Sequence, residues 1–270
     1  MLLLIDIAIL ILLGFLVGII ASMTGIGGGT FIVPALTLVY AFTSQEAVGT
    51  SLAVIVFTSF ASTYAYSRQR RVDYKVGAAS AVATVPGAIL GAYMTTLVSS
   101  ELLAIVFSVF LIIVAFSMLG AVHIPFPKVT GITRDWHRTV TDSEGKKFEY
   151  DTNIALTFVL SFFGGLSSGL LGIGGGALMV PILNLAGGIP IHLTVATSMF
   201  IMIFTSVSGV LTHLQLNNVR IEYSAYMAIC IIFGTQLGAR IAKRTSGKLL
   251  KKAFSLVMLF VALRLLLNSV

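Results

Sequence analysis

Gly25-Ile26-Gly27-Gly28-Gly29 returns, residue for residue, as Gly172-Ile173-Gly174-Gly175-Gly176. The offset of 147 residues continues downstream of the motif without a gap. It brings Pro34 onto Pro181, Val48, Thr50 and Ser51 onto Val195, Thr197 and Ser198, and Phe57-Thr58-Ser59 onto Phe204-Thr205-Ser206. It then matches Gly87 and Leu90-Gly91-Ala92 with Gly234 and Leu237-Gly238-Ala239. Shared hydrophobicity would scatter Leu and Ala matches. It would not align five consecutive motif residues, a proline and two Thr-Ser pairs. The chain is two copies of one unit.

Composition says what solvent the unit faces. Of 270 residues 57% are hydrophobic, and only 17 are Lys or Arg and 10 Asp or Glu. A soluble domain of this length would carry roughly 67 charges. Each copy holds five apolar segments: about 4–24, 29–43, 47–66, 75–98 and 101–122, then 153–171, 176–190, 193–214, 222–243 and 248–268. Most are long enough for the roughly 20 residues of a membrane crossing. The second segment of each copy is short, follows the glycines and contains Pro34 or Pro181. A short or broken helix starting at the glycines is expected there. The expected fold is an all-α polytopic membrane protein of two repeats, 1–122 and 153–270, joined by a polar linker, 123–152.

The charges set the orientation. In the first repeat the basic loop (Arg68, Arg70, Arg71, Lys75) lies between segments three and four. In the second, Arg240, Lys243, Arg244, Lys248, Lys251 and Lys252 lie between segments four and five. If basic loops face the cytoplasm, the copies point in opposite directions. Five transmembrane or half-membrane segments per copy give that inversion. Four crossings with a re-entrant second segment would leave the copies parallel, which the charge asymmetry opposes. The linker, with five basic and five acidic residues (Lys128, Arg134, Arg138, Lys146, Lys147; Asp135, Asp142, Glu144, Glu149, Asp151), is then cytoplasmic. The start, Met1 to Asp6, lacks the positive region of a secretory signal, so 4–24 is read as the first helix of a multi-pass protein of the cytoplasmic membrane. The net charge of +7 sits in short loops without interleaved aromatics, so no nucleic-acid partner is expected.

Inverted repeats are a transporter architecture with substrate near the bilayer midplane, between the halves. The glycine motifs lack the Lys-Ser/Thr of a phosphate loop. They can serve close helix packing or aim unpaired N–H groups of a broken helix at a small anion. The substrate-binding candidates are Gly25, Gly27, Gly28 and Gly29 with Thr50 and Ser51, and Gly172, Gly174, Gly175 and Gly176 with Thr197 and Ser198. Gln45 and His192 occupy equivalent positions just before the Thr-Ser pairs and join the set. His213, Gln215 and Gln236 are weaker polar candidates, and Arg240 is expected to snorkel to the headgroups. Asp6, Glu46, Glu101 and Glu222 lie near segment ends, which disfavours a cation held by an intramembrane carboxylate. One cysteine, Cys230, excludes an internal disulfide. Nothing has metal-ligand spacing or a nucleophile–base pair, so neither an enzyme nor a cofactor is expected. The partners are a small anion and the lipid bilayer, with the oligomeric state left open.

The paired Gly-Ile-Gly-Gly-Gly motifs, each followed by Pro34 or Pro181, with Val48-Gly-Thr-Ser51 and Val195-Ala-Thr-Ser198, resemble the sulfite exporter TauE/SafE family of membrane permeases. The resemblance covers about 5–120 and 153–267. It implies export of a small sulfur-containing anion, sulfite or an organosulfonate, with alternating access between the repeats. The alternative is a carrier or channel for another small neutral or anionic metabolite, with the glycines serving packing.

Overall fold

The computed structural model describes residues 4–97, nine positions between 105 and 119, and 136–269. Most of the expected segment 101–122, with Glu101, and the first part of the linker, with Lys128, Arg134 and Asp135, lie outside the described residues. The elements are α1 (Leu4–Thr24), α2 (Gly29–Tyr40), α3 (Ser44–Arg68), α4 (Tyr74–Met94), β1 (Trp136–Thr141), β2 (Lys147–Thr152) and α5 (Ile154–Leu171). There follow α6 (Gly176–Pro181, continued by a π-wound turn Ile182–Ala186), α7 (Ile191–Gln215), α8 (Ile221–Arg244) and α9 (Gly247–Ser269).

The repeat is written into the element boundaries. The 147-residue offset carries both ends of α3 onto both ends of α7, and the starts of α2 and α4 onto those of α6 and α8. Local chemistry explains several starts. Thr43 and Glu46 form a reciprocal capping box on α3. Asp73 accepts from the Lys75 and Val76 N–H groups to cap α4, and Asn153 caps α5 through the Leu156 N–H. Helices α2 and α6 have no such cap. Their N-cap residues are Gly28 and Gly175, at φ 95° and 78°. Only glycine adopts that backbone without strain, which is why the chain turns here.

Among the described residues, six helices (α1, α3, α4, α5, α7, α8) are long and apolar enough to cross a membrane. With 12 residues, α2 rises about 18 Å, little more than half of a hydrocarbon core of about 30 Å. The side chains are distributed inside out. Leu12, Leu16, Phe60, Val82, Val159, Phe233 and Leu256 are exposed, whereas Ser22, Thr50, Ser51, Thr58, Ser59, Thr197, Ser198 and Thr205 are buried. That is the surface of a protein whose solvent is lipid.

Each half packs on the other. Helix α1 lies along α8, α5 along α4, and α3 along α7. Small residues allow backbone contact. Gly234 and Gly238 sit against Phe15 and Ile19 of α1, and their equivalents Gly87 and Gly91 against Phe162 and Leu166 of α5. Two faces result. On one, Gln69 Nε2 donates to the Ala239 carbonyl (3.1 Å), the Ser143 N–H donates to the Gln69 carbonyl (3.0 Å), and Lys243 pairs with Glu144 (2.7 Å). These bonds gather the α3–α4 loop, the hairpin and the end of α8. On the opposite face Arg220 pairs with Glu46, Tyr93 donates to Gln215 (3.2 Å), and Tyr40 donates to the Asp6 carbonyl (3.3 Å). The last bond returns the end of α2 to the start of α1.

The all-α polytopic architecture expected from the sequence holds, with one addition. The described part of the linker is an antiparallel hairpin in which Trp136 pairs with Thr152 and Thr141 with Lys147. Its strand β2 buries Phe148, Tyr150 and Thr152 in alternation, a period of two that faces the helices.

Candidate functional site

Helices α1 and α5 both end in a left-handed glycine, Gly25 at φ 81° and Gly172 at φ 67°. The two turns cross. A Cβ on Gly29 would strike the Gly172 carbonyl oxygen, and one on Gly176 the carbonyl oxygens of Gly25 and Ile26. The glycines of one repeat therefore touch the glycines of the other, and the starts of α2 and α6 are brought together. Among the described residues, the N–H groups of Ile26, Gly27, Gly28, Ile173, Gly174 and Gly175 make no backbone hydrogen bond. All six residues are buried. Each turn thus presents unpaired donors at the positive end of a helix dipole.

The Thr-Ser pairs fix the crossing. Ser51 Oγ donates to the Gly172 carbonyl at 2.8 Å, and its equivalent Ser198 donates to the Gly25 carbonyl at 3.1 Å. Thr50 Oγ1 accepts from the Arg220 N–H at 3.0 Å, and Thr197 Oγ1 from the Asp73 N–H at 3.0 Å. Each serine ties down the end of the other half's first helix. Each threonine holds the entry to the other half's fourth segment. All four hydroxyls thus engage the backbone of the other repeat.

Gln45 and His192 stand apart from the crossing. Gln45 is half-buried in the first turn of α3. His192 Nε2 lies 2.9 Å from the Thr245 carbonyl, next to the loop before α9. The weaker candidates are also engaged: His213 with the Gly169 carbonyl (3.1 Å), Gln215 with Tyr93, and Gln236 with the Ala61 carbonyl (2.8 Å). Arg240 is exposed at the end of α8.

Two residues at the crossing escape sequence reading. A Cβ on Gly27 would lie 2.7 Å from Met202 Sδ, and one on Gly174 2.8 Å from Ile55 Cγ2. Ile55 and Met202 are fully buried and equivalent under the repeat. Each lies four residues after its serine, one helical turn on and on the same face. They seal the glycine turns with apolar bulk. The signal was the i+4 step from a serine that recurs in both copies.

The crossing contains no carboxylate. Among the described residues the acidic groups sit at helix ends (Asp6, Glu46, Asp73, Glu222) or in the hairpin, and no group of three metal-ligating side chains is assembled. An open cavity of about 580 Å³ lies on the face opposite the hairpin, lined by Tyr40, Phe42, Glu46, Arg220 and Tyr223 among others.

Comparison with known proteins gives the family. Residues 10–265 match the family described as Sulfite exporter TauE/SafE. The chain is 35% identical to the probable membrane transporter protein YunE of Bacillus subtilis, over 97% of this chain and 98% of that one. A probable membrane transporter protein of Methanocaldococcus jannaschii is 29% identical over 96% of this chain and 95% of its own length. The Sulfite exporter TauE/SafE family protein 6 of Arabidopsis thaliana is 29% identical across 40% of this chain and 25% of that protein. No solved structure matches.

Proposed function

The chain belongs to the sulfite exporter TauE/SafE family of multi-pass membrane transporters, and from that membership we propose that it exports a small sulfur-containing anion, sulfite or an organosulfonate. The observation that carries the proposal is the crossing itself. Two broken-helix starts meet with unpaired N–H groups, and the acidic groups described all lie away from them. Neutral donors and two positive dipole ends suit an anion and offer a cation nothing. Gly25–Gly29 and Gly172–Gly176 form the site in this reading, with Ser51 and Ser198 as donors that must let go of the Gly172 and Gly25 carbonyls to reach a ligand.

The face assignments support an inverted pair of repeats. Helices α1 and α2 begin and end on one face, α3 and α4 each cross, and Leu97 and Trp136 lie on opposite faces. The second repeat then enters from the hairpin face. That face carries Arg70, Arg71, Lys75, Lys146, Lys243 and Arg244, and the other Arg220 with Glu46. By the excess of basic residues the hairpin face is cytoplasmic. The halves would rock about the crossing, exposing it to each side in turn. Each negative charge leaving the cell gains about 2.3 kcal/mol per 100 mV of inside-negative potential, so a divalent anion needs no coupled cation.

The test is efflux from proteoliposomes loaded with sulfite, sulfate, thiosulfate or a sulfonate, under an imposed potential. Selective efflux of sulfite or the sulfonate, faster with the external side positive, is expected. Equal rates for all four would remove the substrate assignment. One observation favours a second reading, in which the glycines serve packing and the cargo is another small metabolite: Gly29 and Gly176 touch backbone rather than open space. Potential-independent flux of a neutral solute would favour it.

A further inference from the structure

The repeat relates the open cavity to a place on the opposite face. Tyr40, Ala41, Phe42, Glu46, Arg220 and Tyr223 line the cavity. Their equivalents are Gly187, Gly188, Ile189, Leu193, Asp73 and Val76. Three of these six meet the hairpin directly, and the other three share an apolar cluster with it. Cβ atoms on Gly187 and Gly188 would lie 3.3 Å from Thr152 Oγ1 and 3.1 Å from the Asp151 carbonyl oxygen. Ile189, Leu193 and Val76 share one buried apolar cluster with Phe148 and Tyr150. Asp73 accepts from the Tyr150 hydroxyl at 2.6 Å and from Arg138 Nε and Nη2 at 3.0 Å each. Where the first repeat has Tyr40-Ala41, the second has two glycines, and strand β2 occupies the room they leave.

We propose that the β1–β2 hairpin is a cytoplasmic plug, filling with Phe148 and Tyr150 the vestibule that the repeat would otherwise open on that face, and that its release is a required step of inward opening. The reading rests on alternating access between the halves and not on the identity of the anion.

The fastenings suit a part that must come and go. Arg138–Asp73 and the buried Arg71–Asp142 pair (3.1 Å) hold the hairpin to the α3–α4 loop, with the Ser143 N–H on the Gln69 carbonyl. A desolvated ion pair is close to balanced against its hydrated ions, so such a latch gives register and direction at little net adhesion. The apolar part of the contact is carried chiefly by Phe148 and Tyr150, with Val140 packed beside them. Asp73 is also the α4 cap, and its N–H is held by Thr197 beside Ser198. Hairpin, fourth segment and glycine crossing are therefore connected through two consecutive residues of α7.

The experiment uses the full chain with Cys230→Ser and Leu193→Cys, position 193 being fully buried behind the plug. Inverted vesicles are treated with a membrane-impermeant maleimide. Slow labelling is expected with the hairpin intact. Arg138→Gln or Tyr150→Phe should each accelerate it about tenfold or more, as local opening becomes easier. In parallel, Val219→Cys in the external cavity is labelled from outside and should slow in the same latch variants, because the two openings exclude each other. Monodisperse elution checks that each variant folds, and Tyr150→Phe removes one hydroxyl only, so it reports even where Arg138→Gln does not fold. Labelling at position 193 that is already fast with the hairpin intact, or is unchanged by folded latch variants, overturns the plug. Neither readout needs transported anion, so a wrong substrate assignment leaves this test intact.

Discussion

Gly176→Ala decides whether the glycine turns cross. Gly176 is the first residue of α6 and does not have a positive φ. Judged locally, alanine there is an improvement, worth about 0.5–1 kcal/mol of helix propensity. Judged by the crossing, the new methyl lies 2.6 Å from the Ile26 carbonyl oxygen and closer still to that of Gly25. A carbon needs more than 3 Å from such an oxygen, so the turns must part by the better part of an ångström. Forced overpacking of this kind costs about 1–3 kcal/mol. Parting the turns also stretches the Ser198–Gly25 hydrogen bond, already 3.1 Å, for about 1 kcal/mol more. The net loss is about 1–3 kcal/mol, and at about 2–4 °C per kcal/mol the midpoint should fall by roughly 2–12 °C. Thermal melting in detergent, followed by the monodisperse fraction, reads it. Gly29→Ala is the mirror experiment, since its methyl meets the Gly172 carbonyl and Ser51 Oγ. The double variant should cost less than the sum, because the turns part only once. A midpoint that rises in Gly176→Ala would refute the crossing, because only an unobstructed helix start gains from alanine.

Met202→Ala should remove the bulk over Gly27, destabilise by about 2–5 kcal/mol, and raise anion flux in proteoliposomes; lower flux would show that Met202 guides the pathway rather than seals it. Arg220→Gln, which removes the cation among the cavity-lining residues and frees Glu46, should raise the apparent KM for an externally added anion severalfold, and an unchanged KM would place the anion's route elsewhere. The Arg71–Asp142 pair predicts a stability that depends on pH. Burial works to raise the Asp142 carboxyl, but the Glu144 and Lys146 N–H groups and Arg71 outweigh it and hold it below the ordinary value. A depressed carboxylate contributes stability above the unfolded pKa of about 3.9 and loses it as pH falls through the folded value, so melting should be flat from about pH 5 to 8 and drop below about 4. In Arg71→Met the burial cost is opposed less and the carboxyl rises toward its ordinary value, so the loss of stability on acidification should be smaller. An acid loss as large as in the parent protein would mean that Arg71 does not hold the Asp142 carboxyl down.

The repeat was legible because its motif residues cannot be exchanged for other apolar ones: a glycine at φ of 67–97° and a serine reaching a backbone carbonyl in another helix each have few substitutes. Orientation was read from charge, which is expensive in lipid and so accumulates at helix ends. What the Thr-Ser pairs do was not legible. Sequence marks a hydroxyl on a helix but not its acceptor, and the acceptors here lie 121 and 173 residues away. Ile55 and Met202 were hidden for a different reason, since an apolar residue among apolar neighbours carries no mark beyond its recurrence one turn after the serine in both copies. The hairpin within the polar linker was not read from the sequence, although Phe148, Tyr150 and Thr152 alternate with charged residues over six positions. Three of the acidic and basic residues there, Arg138, Asp142 and Glu144, are spent on fastening the strand pair to the helices. The two halves keep identical boundaries in their third segments and identical glycines at the crossing, and they diverge at Tyr40-Ala41 against Gly187-Gly188 and at Arg220 against Asp73. Those are the residues that meet the cavity on one face and the hairpin on the other. A duplicated protein under equal demands on both faces has no reason to diverge there. The difference is what a transporter needs when its two sides must not open alike.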